Sequence, residues 1–193
     1  MNRAPAVRTA ATAGVAGSVL FAAGLIVEIP ARHGPAHTAG ELLILAGFAG
    51  FAAVIAALWL AGTGGGRFGQ AALVIWLIGP VALFAGSITE AITGNQNNLF
   101  FPVGGLVTTL GGLLAAGPVA RSGVLTGWRR WAAPALAAGY LLILVANIVS
   151  GDDWNQPLVM LAWPILAGLT GVAVLSEPSA RHGVTASAQP ATV

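Results

Sequence analysis

The sequence predicts an all-α membrane protein of six transmembrane helices, built as three tandem helix hairpins with an approximate internal repeat. Three observations predict it. Of the 193 residues, 56% are hydrophobic and only 7% are charged, whereas a soluble domain carries roughly 25% charged residues. The chain divides into apolar runs that each reach the roughly 20 residues a bilayer-crossing helix needs. Two of those runs end on the same short motif. A compact soluble body of this length could not bury so much apolar surface. A bilayer removes the difficulty by serving as solvent for the outer walls.

The runs fall at residues 9–29, 41–62, 69–92, 99–120, 131–150 and 157–176. They are helices rather than barrel strands, because a barrel strand alternates apolar and polar residues. Stretches such as residues 71–78 and 140–145 do not alternate. Residues 1–8 form a short tail with Arg3 and Arg8, and the first run exceeds the roughly 7–15 residues of a cleaved signal core, so it is expected to be a span. The linker from Gly62 to Gly69 is glycine-rich but lacks the Gly-Lys-Ser/Thr ending of a phosphate loop, and reads as a turn. Residues 177–193 are expected to form a disordered tail, being polar, small and proline-containing.

The loops set the orientation. With six spans, Arg3, Arg8, Arg67, Arg121, Arg129, Arg130 and Arg181 share one side, and Arg32 alone lies on the other. The positive-inside rule then places both termini in the cytoplasm of a plasma-membrane protein. Glu28, Glu41, Glu90, Asp152 and Asp153 sort to the outer side, and Glu177 to the inner.

The internal repeat rests on particular residues. The first run ends Ala23-Gly24-Leu25-Ile26-Val27-Glu28 and the third ends Ala85-Gly86-Ser87-Ile88-Thr89-Glu90. Asn147 stands at the corresponding point of the fifth. The second and sixth runs share Ile-Leu-Ala-Gly-x-x-Gly-x-Ala, with glycines at 47 and 50 and at 168 and 171, and the fourth matches more weakly around Leu110-Gly111. Repeats of one orientation are parallel, unlike the inverted repeats common in secondary transporters.

Several residue sets could carry chemistry. Glu28, Glu90 and Asn147 form a candidate polar site at the outer rim, since ionisable groups beside hydrocarbon are costly and mark functional sites. Helix-end markers within reach of water are the plain alternative. His33, His37 and Glu41 form a candidate metal set, because imidazole and carboxylate suit zinc and other divalent ions. Gly34 and Pro35 interrupt any helical ligand pair between the two histidines. The same histidines could sense pH. Asn95, Gln96, Asn97 and Asn98, with Asn155 and Gln156, read as loop residues able to bind sugars or head groups. Trp128, Arg129, Arg130 and Trp131 read as a membrane anchor, with indoles at head-group depth and guanidiniums on lipid phosphates.

The composition also excludes. With no cysteine there is no disulfide, thiolate metal site or iron–sulfur cluster. A net charge of +2 with arginines scattered between apolar runs provides no nucleic-acid footprint. No histidine lies within a run, and His-Glu-x-x-His and Gly-x-Ser-x-Gly are missing. No cofactor is expected. The expected partners are membrane lipids, then a second copy or another membrane protein.

The six short spans, the Gly127-Trp128-Arg129-Arg130-Trp131 entry to the fifth and the acidic outer loop before the sixth resemble small multipass proteins of high-GC Gram-positive bacteria. The resemblance implies no activity. The three-hairpin layout is also similar to the acid-resistance membrane proteins. The leading expectation is a non-enzymatic accessory, sensory or stress-related membrane component. A small transporter or channel using the outer polar site comes second, and a metal-dependent membrane enzyme third.

Overall fold

A computed structural model of the chain describes residues 3–28, 34–95, 98–150 and 157–177. Among them are six α-helices and no strand: α1 (Ala4–Glu28), α2 (Pro35–Leu60), α3 (Arg67–Thr93), α4 (Phe100–Arg121), α5 (Ala132–Ser150) and α6 (Pro157–Leu175). A short 3₁₀ segment, Gly127–Trp131, leads into α5. α1 to α4 are each long and apolar enough to cross a membrane, and Met160–Leu175 within α6 is an apolar but shorter stretch.

The helices are apolar on every side. A soluble surface helix confines its apolar residues to one stripe. Here Val19, Ile26, Phe68, Ile78, Ile92, Leu142 and Val149 are each more than half exposed, while Val54, Leu58, Leu73, Trp76 and Leu136 are fully buried. An apolar wall around an apolar core is the arrangement that lipid stabilises and water does not.

Helix ends follow local backbone chemistry. α2 starts at Pro35, earlier than hydropathy predicts, because Pro occupies the first helical turn and Gly34 before it adopts φ 94°. His37 and Glu41 therefore lie inside the helix. α2 stops at a left-handed glycine: Gly62 has φ 73°, its N–H donates to the Trp59 carbonyl at 3.0 Å, and the Thr63 N–H donates to Leu58 at 3.2 Å. These two bonds satisfy carbonyls the helix leaves open. Asn98 organises the start of α4. Its Oδ1 accepts from the Phe100 N–H at 3.2 Å, and its Nδ2 donates to the Gly86 and Asn95 carbonyls at 3.1 Å each.

Each helix packs antiparallel on its neighbours in sequence, and α6 closes the circuit against α1 and α2. Small residues set the approach. Gly17 of α1 meets Gly50 of α2 so closely that a methyl on either would overlap the other's Cα. The same face continues through Gly14 on Val54, Phe21 on Gly47, and Gly24 on Gly40 and Ile44. α3 and α4 form a second ladder: Trp76 on Gly111, Gly79 on Thr108, Leu83 on Gly104, and Gly86 on Phe100 and Phe101. In lipid such close backbone contact replaces the hydrophobic drive that helix association lacks there.

α5 and α6 behave differently. Gly168 faces Ser18, and Gly171 faces Ala11 and Val15, so the α6 glycines seat on α1 rather than on α5. The α5–α6 contact instead uses Gly139 against Leu166 and a bond from Thr170 Oγ1 to the Ala132 carbonyl at 3.2 Å.

Candidate functional site

The three residues proposed for an outer rim fall toward helix ends. Glu28 closes α1, Glu90 lies four residues before the Gly94 cap of α3, and Asn147 is near the end of α5. The Glu90 side chain is half-buried and makes no ion pair among the described residues. The side chains of Glu28 and Asn147 lie outside the described residues.

Of the metal set, His37 and Glu41 come together. They stand one turn apart on α2, with His37 Nε2 3.3 Å from Glu41 Oε1. This is the ordinary side-chain pairing of positions i and i+4. His33 lies outside the described residues, as do Arg32, Gln96, Asn97, Asp152, Asp153, Trp154, Asn155, Gln156 and the tail from residue 178. Asn98, read as a loop amide, is instead a buried fastener between α3 and α4.

A buried cluster of aromatic rings lies between α1, α2, α5 and α6. Trp163 of α6 contacts Phe21 of α1, Phe48 and Phe51 of α2 and Tyr140 of α5, with ring centroids 5.0–5.5 Å apart. Edge-on and tilted rings suit their quadrupoles. Beside them is a cavity of about 10 Å³ bordered by Ser18, Gly47 and Pro164, room for about one water. Phe48 and Phe51, three residues apart, were the available signal, since that spacing puts both on one helical face.

At the opposite end from Glu90, the residues read as a membrane anchor divide into two groups. Trp128, Arg130 and Trp131 point outward, both indoles are 55% exposed, and the Arg130 guanidinium lies 5.3 Å from the Trp131 ring centroid. Arg129 turns inward. Its Nη1 is 3.5 Å from Glu177 Oε2, its Nε donates to Ser176 Oγ at 3.0 Å, and Nη1 donates to Thr126 Oγ1 at 3.3 Å. Glu177 Oε2 also accepts from the Thr126 N–H at 3.1 Å. Glu177 is 6% exposed, and its carboxylate ties the end of α6 to the segment that enters α5. Burial of a carboxylate is tolerated when charge and hydrogen bonds meet it. Glu177, expected to open a disordered tail, is instead ordered and buried. Nothing in the local sequence identifies a partner about 50 residues away.

No protein-family model, curated protein or solved structure matches the chain.

Proposed function

We propose that the chain is a six-span integral membrane protein, with both termini on the cytoplasmic side, that acts as a non-enzymatic accessory, sensory or stress-related component. The reading is carried by the close packing of the helices: glycine faces interlock α1 with α2 and α3 with α4, and the buried Trp163 ring cluster fills the space between α1, α2, α5 and α6, beside a water-sized cavity. A pore or alternating-access site needs polar, hydrated space at that depth. α5 and the described part of α6 pack antiparallel and carry exposed apolar residues such as Leu142, Ile148 and Ile165, which supports counting them as the fifth and sixth spans.

The hairpin repeat belongs to the same proposal. Contact positions 14, 17, 21 and 24 of α1 recur at 76, 79, 83 and 86 of α3, a constant offset that also carries Glu28 onto Glu90. Aligned by that offset, Leu83 on Gly104 corresponds to Phe21 on Gly47, which favours Gly104 over Gly111 as the counterpart of Gly47. The third hairpin is a divergent copy, its glycines used for closure on α1.

Transport is the second reading, favoured by the half-buried Glu90 carboxylate. Reconstitution into liposomes with internal pH and sodium dyes separates the two. The accessory reading predicts leak equal to protein-free liposomes under an imposed potential. Flux above that level, abolished by Glu90→Gln, would establish transport instead.

A further inference from the structure

A groove of about 370 Å³ opens between the end of α4, the 3₁₀ segment and the start of α5. Its charged border is Arg121 and Arg130. Its walls are Trp131, Pro134, Gly117 and Ala120. Among the described residues no carboxylate borders it. The third arginine of this region, Arg129, is already engaged by Glu177, whereas neither Arg121 nor Arg130 has an ion pair among the described residues, and both are exposed. Two exposed guanidiniums beside an apolar wall suit an anion that carries an apolar group. The floor runs on into the exposed leucines of α4, Leu113 and Leu114, which are 43% and 44% exposed.

We infer that this groove binds the phosphodiester of an anionic phospholipid, with Arg121 and Arg130 on the phosphate, Trp131 beside the glycerol backbone and an acyl chain along the Leu113 and Leu114 face of α4. Guanidinium matches phosphate oxygens in charge and fork geometry. Basic pockets between spanning helices at the cytoplasmic surface suit such head groups. The inference rests on the six-span reading, which puts the groove at head-group depth in the cytoplasmic leaflet. It goes beyond general anchoring, because it names a site that includes Arg121 and leaves out Arg129.

The test uses the full chain purified in detergent, exchanged into micelles doped with phosphatidylglycerol or phosphatidylcholine, and examined by native mass spectrometry for retained lipid. Phosphatidylglycerol should be retained in preference to phosphatidylcholine. The double variant Arg121→Gln/Arg130→Gln should retain it roughly thirtyfold more weakly, at about one kcal/mol per arginine. Arg3→Gln/Arg8→Gln, which removes equal charge elsewhere, should retain it like the parent, and millimolar inorganic phosphate should not displace it. Equal retention of the two lipids, equal loss in both double variants, or displacement by inorganic phosphate would overturn the site. Any of these in a chain that still requires detergent leaves the six-span reading standing. A chain that stays dissolved without detergent removes that reading first.

Discussion

At the residue scale, the most informative contact is between Glu177 and Arg129. Each is ordinary as a type, and only the fold gives them to each other, across the entry to α5 and the end of α6. The pair is partly shielded, so its coupling should exceed that of a surface ion pair. A double-mutant cycle with Glu177→Gln and Arg129→Gln should return about 1–3 kcal/mol by thermal or denaturant unfolding in detergent. A value near zero would show that the two side chains act independently. Asn98 makes a second test. Asn98→Ala removes the acceptor for the Phe100 N–H and the donor to Gly86, and should lower stability by about 1–2 kcal/mol in the same assay. An amide in an Asn-rich run looks like a loop residue in sequence. Its role depends on a partner twelve positions away on another helix.

At the scale of elements, helix number and approximate span were legible because run length and hydropathy decide them. Ends were less so. α2 begins at Pro35 because a proline that breaks a helix in its interior is well suited to its first turn. Glycine stripes were legible as packing faces, but not which helix each would face. Gly47 and Gly50 meet α1 from within their own hairpin, and Gly168 and Gly171 meet the same helix across the closing seam. The two uses share one sequence signature. Gly17→Ile should separate α1 from α2 and prevent recovery of a monodisperse protein, since the added atoms meet the Gly50 backbone. Gly66→Ala, where a Cβ meets nothing within 4 Å, should leave yield and melting temperature close to the parent. Equal behaviour of the two variants, read by size-exclusion chromatography, would contradict the close α1–α2 seam.

At the scale of the whole molecule, the composition already implied apolar walls, and the structure places them: large apolar side chains cover the outside as well as the core. Interior use was not legible, because one ring set drawn from α1, α2, α5 and α6 fills space that hydropathy alone would leave open to a polar path. The proposed architecture requires six crossings, including the two shorter helices. The chain has no cysteine, so single cysteines report topology without background. Arg3→Cys, Gly66→Cys and Arg181→Cys should react with a membrane-impermeant maleimide only after the cytoplasmic face is opened, and Ala36→Cys, Thr93→Cys and Asp153→Cys should react in intact cells. Labelling of position 153 from the cytoplasmic side, or of positions 3 and 181 from opposite sides, would contradict it.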